Sequence, residues 1–326
     1  MPKSTFDLSK LPDLTGQVVL VTGGHSGLQV LLSSPCFFDV LILHRGLATT
    51  KVLARQHAKV YIASRSVQKA GSAIQDIKKE IANANVAVIE MDLSDLDSVK
   101  RGVEEFLRQE DKLHILINNA GIMCTPYSTT PQGIELQFQT NYLSHHLLTR
   151  LLLPTLLATS SPTSPSPFTP RIINVASDGH AKLVSTFSPS FSSFPNLEHE
   201  STWTRYGTSK LCQVLHSKSL ATQYPNVLSV SLHPGTVKTG LSAGPRGSTA
   251  WYKFIQPLVE LGAPGPEEGC ASIVFCAVSD KIGISDNGSY FLPVGKKGNA
   301  SKLAEDPGLA EELWVWSERK LSELGY

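Results

Sequence analysis

The chain has 326 residues, 41% of them hydrophobic and 17% charged, with a net charge of +1. That length fits one large α/β domain or two small ones, with enough apolar material for a sizeable core. The balanced charge gives no reason to expect nucleic acid or a membrane surface as a partner, and no apolar run reaches the roughly 20 residues of a membrane span. The five cysteines, Cys36, Cys124, Cys212, Cys270 and Cys276, are scattered without a Cys-x-x-Cys pair. Free thiols in a reducing compartment are expected, not a disulfide framework or a zinc site. Met1 to Asp13 carries charges and prolines and lacks an apolar core, so no signal peptide is expected. The expectation is a cytoplasmic, soluble protein.

Val18 to Thr22 reads as a short buried strand. Gly23-Gly24-His25-Ser26-Gly27-Leu28 follows as a phosphate-cradling turn would, and a helix should begin there. Instead an apolar, proline-containing stretch runs from Gln29 to Arg45. Only Gly46 to Ala54 then reads as a helix start. Joining Leu28 directly to Gly46 gives a continuous Thr-Gly-x-x-x-Gly-x-Gly pattern. Lys59 to Ala63 is strand-like and leads into Ser64-Arg65-Ser66. Val67 to Ala84 is an amphipathic helix with Ala70, Ala73, Ile74, Ile77 and Ile81 on one face. Val86 to Met91 is strand-like, and a helix is expected from about Ser94 to Gln109.

Ile115 to Ile117 is a strand ending in Asn118-Asn119-Ala120-Gly121, where amides and small residues suit close contact with a planar group. Thr159 to Pro170, rich in Ser, Thr and Pro, should be a surface excursion. Ile172 to Val175 is the next strand, with Ser177 at its carboxyl end, where α/β sheets place sites. Tyr206 and Lys210 are four apart and so share a helical face. A lysine ammonium beside a phenol favours the phenolate, although such a pair is also ordinary helix packing. Leu228 to Leu232 completes the strand series and leads into His233-Pro234-Gly235-Thr236-Val237-Lys238-Thr239, a turn whose backbone can read a carboxamide. Leu241 to Gly269 mixes Gly and Pro with Trp251, Tyr252, Phe254, Ile255 and Leu258. It reads either as a mobile substrate cover or as a helix pair closing the core. No repeat or domain boundary is evident. Strands alternating with helices predict a single α/β, Rossmann-type, doubly wound domain with a mainly parallel sheet and helices on both faces.

In this order the motifs resemble the short-chain dehydrogenase/reductase family over about residues 14 to 300. Asn141-Tyr142-Leu143-Ser144-His145-His146, the run from Arg171 to Ser177 and Tyr206 to Leu211 look most like its retinol-dehydrogenase and WW-domain-oxidoreductase-like branch, without WW domains. The resemblance implies a catalytic tetrad. Asn141 holds a proton-relay water, Ser177 positions a carbonyl, Tyr206 is the acid/base, and Lys210 lowers its pKa and holds the nicotinamide ribose. It also implies a dinucleotide bound by Gly23, His25, Ser26, Gly27, Leu28 and Gly46, by Arg65, Asp92 and Leu93, by Asn119, Ala120 and Gly121, by Tyr206 and Lys210, and by Pro234, Gly235, Val237 and Thr239. No acidic residue follows the second strand, and Arg65 can pair with a 2′-phosphate, so NADP(H) is favoured over NAD(H). Arg65 can equally be a solvated loop cation, and Asp92 a helix N-cap. The implied reaction interconverts a small, apolar ketone or aldehyde and its alcohol. The family uses no metal, and the adjacent His145 and His146 point about 100° apart on a helix. A homodimer is open.

Three readings compete for residues 29–45: a loop peculiar to this protein, a partner-binding or membrane-dipping flap, and untranslated sequence retained in the reading frame. The last is favoured, because excision leaves a well-formed fingerprint and an exposed apolar patch would promote aggregation. In the chain as written, Gln29 stands where the third glycine is expected. A side chain there should push the helix off the strand and weaken or abolish NADP(H) binding. That leaves a non-catalytic or cofactor-impaired dinucleotide-fold protein as the alternative to an enzyme.

Overall fold

The computed structural model describes residues 6–24, 38–159, 168–184, 191, 197–235 and 266–326. The apolar runs read from the sequence form the strands β1 (Val18–Thr22), β2 (Lys59–Ser64), β3 (Val86–Glu90), β4 (Ile115–Asn118), β5 (Arg171–Val175) and β6 (Leu228–Leu232). Two further strands, β7 (Tyr290–Leu292) and β8 (Lys296–Gly298), complete one eight-stranded sheet in the order β3-β2-β1-β4-β5-β6-β7-β8. All pairings are parallel except β7 with β8. The order reverses between β1 and β4, and this crevice is where an open α/β sheet presents its site.

The central strands are apolar on both sides because both faces are covered. Leu20, Leu116 and Ile172 point to one face. There they pack with residues of α3 (Leu96–Gln109), α5 (Ser144–Thr159), α7 (Thr202–Gln223) and α9 (Pro307–Glu323), such as Phe106, Leu147, Leu215 and Leu313. Val19, Val21, Ile115, Ile117 and Ile173 point to the other face. Their partners lie on α1 (Phe38–Arg55), α2 (Val67–Glu80) and α8 (Pro266–Val278) and include Leu53, Ile77 and Val274. The short helices α4 (Leu136–Phe138) and α6 (Gly179–Lys182) lie on the connections before α5 and after β5.

Two helix limits differ from those read in the sequence. α2 stops at Glu80, where Ile81 leaves the helical region, so its last turn is four residues shorter than expected. α3 begins at Leu96 because Asp95, not Asp92, caps it and accepts from the Asp97 amide. The larger difference is α1, which begins at Phe38 and not at Gly46. Residues 38–45 contain neither glycine nor proline, and extending a packed helix costs far less than nucleating one. Gly46 is therefore a helix-interior residue, held against the end of β1. A Cβ there would lie 2.3 Å from the Gly23 carbonyl oxygen and 2.8 Å from Asn119 Nδ2. The expected displacement of the helix from the strand does not occur. Gly46 supplies the close approach, and Thr50 Oγ1 bridges it to the turn by donating to the carbonyls of Gly46 (3.0 Å) and Gly24 (3.3 Å).

Candidate active site

Parallel pairing brings Thr22-Gly23, Asn118 to Gly121, Ser177 and His233 to Gly235 to the same edge of the sheet. Thr22 ties the first two together. Its Oγ1 accepts from the amides of Asn119 and Ala120, both at 3.0 Å, and Asn119 Nδ2 donates to the Thr22 carbonyl at 2.9 Å. Gly23 follows at φ +69°, a conformation that favours glycine, with Ala120 pressed against it. Asn118 faces inward and serves the sheet. Its Nδ2 donates to Asn174 Oδ1 and Thr149 Oγ1.

Asn141 lies in a π-helical turn, Gln139–Leu143, between α4 and α5. Such bulges collect at functional sites because they re-aim one residue without ending the helix. Asn141 Oδ1 accepts from the Ile122 amide at 2.8 Å, and Nδ2 donates to the Ile122 carbonyl and to Ser209 Oγ, both at 2.9 Å. Its backbone carbonyl is met by His145 Nδ1 at 2.9 Å. A carbonyl can only accept, so Nδ1 carries the ring proton. Burial lowers the His145 pKa to about 4, which keeps the ring neutral and Nε2 free to accept. Thr22 Oγ1, 2.9 Å from Nε2, is then the donor of that bond. The buried His145 thus joins the end of β1 to Asn141. Sequence reading named it within the Asn141–His146 run and as an unsuitable metal ligand, but not this contact, which is tertiary and leaves no local pattern.

Tyr206 and Lys210 rise from the first turns of α7, which Ser201 caps by accepting from the Thr204 amide. The Ser177 hydroxyl donates to Asp178 Oδ1 at 3.2 Å and accepts from the Gly179 amide at 3.1 Å, and it lies beside the buried Tyr206 ring: a Cβ on Gly179 would stand 3.4 Å from Ser177 Oγ and 3.3 Å from Tyr206 Cε1. Burial pushes the Tyr206 pKa up to about 12, against the lowering influence of Ser177 and of the Arg45 charge. Lys210 Nζ donates to the Val175 carbonyl (2.9 Å) and to Gln213 Oε1 (2.7 Å), and lies 5.7 Å from the centre of the Tyr206 ring. Burial, helped by the Arg45 charge, lowers its own pKa to about 7. The fold therefore brings Asn141, Ser177, Tyr206 and Lys210 to one place, with Gly121 beside them. A Cβ on Gly121 would stand 3.2 Å from Asn141 Oδ1 and 3.4 Å from Lys210 Nζ. Gln213, one turn beyond Lys210, is a partner that the motif alone does not reveal.

At the adenine side, Arg65 is exposed in the turn after β2, beside Ser66, which caps α2. Asp92 Oδ1 accepts from the amide and hydroxyl of Ser94, so it braces its own turn. Leu93 is buried, and its carbonyl accepts from Ser144 Oγ. At the far side Pro234 leads into Gly235, which takes φ +101° next to Pro293, while His233 Nδ1 accepts from the Asp178 amide at 3.3 Å. His25, Ser26, Gly27, Leu28, Val237 and Thr239 lie outside the described residues, as does most of the 241–269 segment.

The fit to a dinucleotide is uneven. On the nicotinamide side the residues suit it: Gly121 leaves room before Lys210 and Asn141, and the buried Asn119 Oδ1 has no hydrogen-bond partner among the described residues. On the pyrophosphate side they do not. The backbone amides of Gly46 and its followers are spent inside α1, which already runs through the residues before Gly46. Arg45 also reaches across the groove, and its Nη2 donates to the Gly235 carbonyl at 2.7 Å.

Residues 45–189 match the family described as short chain dehydrogenase, so the match begins at the last residue of the interrupting segment. The short-chain dehydrogenase/reductase drtF of Aspergillus calidoustus is 38% identical, over 95% of this chain and 95% of that one. Human retinol dehydrogenase 12 is 34% identical over 92% of this chain and 85% of its own length. Among solved structures, an uncharacterised protein from Mycobacterium paratuberculosis superposes with a TM-score of 0.70 at 26% identity, covering 97% of both chains. An NADPH-bound carbonyl reductase from chicken fatty liver shares the fold, with a TM-score of 0.58 at 20% identity over 88% of this chain and all of the other. The chain belongs to the short-chain dehydrogenase/reductase family, a family of NAD(P)-dependent oxidoreductases, with retinol dehydrogenases among its relatives.

Proposed function

We propose that the chain interconverts a small, apolar carbonyl compound and its alcohol, with Tyr206 as the proton donor and acceptor and NADP(H) preferred over NAD(H). One observation carries the reading: Ser177 Oγ and the Tyr206 ring flank one point at the carboxyl end of β5, the position of a Cβ on Gly179, at 3.4 Å and 3.3 Å, with Lys210 Nζ 5.7 Å from the ring centre. A carbonyl oxygen placed between them accepts two hydrogen bonds. A phenol held near pKa 12 stays protonated at neutral pH, which suits it to give a proton to that oxygen as it gains negative charge. Lys210 sits where its charge can stabilise the phenolate left behind, and its pKa near 7 lets that charge vary in the working range. A nicotinamide dinucleotide, when bound, supplies the hydride. The preference for NADP(H) rests on Arg65, exposed beyond β2 with no carboxylate next to it in Ala63-Ser64-Arg65-Ser66.

A screen of aldehydes and ketones for NADPH oxidation tests this reading. Tyr206→Phe should lose at least a hundredfold in turnover, and Arg65→Asp should shift preference toward NADH by about tenfold or more. Unchanged turnover in Tyr206→Phe removes the phenol from the reaction, and unchanged preference in Arg65→Asp removes the arginine from cofactor choice. The second reading, a cofactor-impaired dinucleotide fold, is favoured by the early start of α1 at Phe38.

A further inference from the structure

Gly235 lies in the turn after β6, at the carboxyl edge of the sheet, and its carbonyl accepts from Arg45 Nη2 at 2.7 Å. Arg45 runs alongside α8, where a Cβ on Gly269 would stand 3.6 Å from its Cγ. The guanidinium lies close enough to the reaction centre for its charge to act on three of its groups. It lowers the pKa of the Tyr206 phenol, of the Lys210 ammonium and of His233. Desolvation of Arg45 itself is pronounced, and a planar N–H donor facing a backbone carbonyl is the hydrogen bond that a carboxamide NH₂ would make.

We propose that Arg45 is an internal occupant of the nicotinamide end of the groove, standing in for a carboxamide at Gly235, so that a dinucleotide binds only by displacing it. The inference rests on the reading that this groove takes a nicotinamide dinucleotide. It assigns a role to a residue outside the family motifs, and it makes a distinction that general damage to the groove does not. Displacement is required of a ligand that reaches Gly235. It is not required of a ligand that stops at the adenosine half.

The test is a pair of binding titrations on the full-length chain and on Arg45→Ala, with Arg45→Gln as a second variant that keeps a shorter polar side chain. NADPH is followed by its fluorescence, and adenosine 2′,5′-bisphosphate, which lacks the nicotinamide, by calorimetry. Arg45→Ala should tighten NADPH by about tenfold or more while leaving the bisphosphate unchanged or weaker, since a cation has been removed. Arg45→Gln should fall between. Equal NADPH affinity in all three, or tightening of both ligands alike, overturns the proposal alone. No binding of NADPH or NADH by any form, a 29–45 deletion included, overturns it together with the dinucleotide reading.

Discussion

Lys210 shows what the site costs the fold at the scale of one residue. Its ammonium is fully enclosed, and burial lowers the folded-state pKa from the ordinary lysine value to about 7. Between that value and 10.5 the unfolded chain holds a proton that the folded chain has released, so folding stability rises with pH across this window. Below pH 7 the penalty is fully present. Lys210→Met removes the group, so its melting temperature, relative to the parent, should be most favourable at pH 6 and lose that advantage by pH 10. The same substitution should abolish turnover. Melting curves at the two pH values check this, and parallel curves would show that Lys210 is not held against its charge. Tyr206, Lys210, Ser177 and Asn141 were legible as a set through the family resemblance, because spacing alone leaves Tyr206 and Lys210 as ordinary helix packing and gives no sign of Asn141. Thr22 as a hub, His145 and Gln213 were not, because each acts through a partner remote in sequence or on a helical neighbour whose role only packing reveals.

At the scale of elements, two of the helical glycines, Gly46 in α1 and Gly71 in α2, have opposite meanings. Gly46 is pinned against β1, where a Cβ would strike the Gly23 carbonyl oxygen at 2.3 Å. Gly71, inside α2, has nothing within 4 Å of its Cβ position. Gly46→Ala should therefore destabilise by about 1–3 kcal/mol through overpacking, whereas Gly71→Ala should stabilise by up to about 1 kcal/mol through helix propensity. Denaturant unfolding of the two variants decides the matter, and a stable Gly46→Ala would place α1 further from β1. Six strands were readable as apolar runs. β7 and β8 were not, since three residues each leave no periodicity to detect. The start of α1 could not be read either. The glycine signal at Gly46 marks a close approach, and only the packed helix shows that the ladder continues through the eight residues before it.

For the whole molecule, one sheet with two covered faces brings together turns from β1, β4, β5 and β6, and Asn141, Ser177, Tyr206 and Lys210 meet at that edge. Between Leu28 and Gly46, the two ends that join into a continuous glycine pattern, stands the stretch from Gln29 to Arg45. Its last eight residues add about 12 Å of helix ahead of Gly46, at 1.5 Å per residue, and its final side chain rests on Gly235. No helix among the described residues is long and apolar enough to cross a membrane. The central proposal is that Asn141, Ser177, Tyr206 and Lys210 serve a nicotinamide dinucleotide whose binding this stretch weakens. Titration of the full chain and of a variant lacking residues 29–45 with NADPH tests that claim most directly. The account predicts at least tenfold tighter binding by the shortened chain, in which Leu28 meets Gly46. Equal dissociation constants would contradict it.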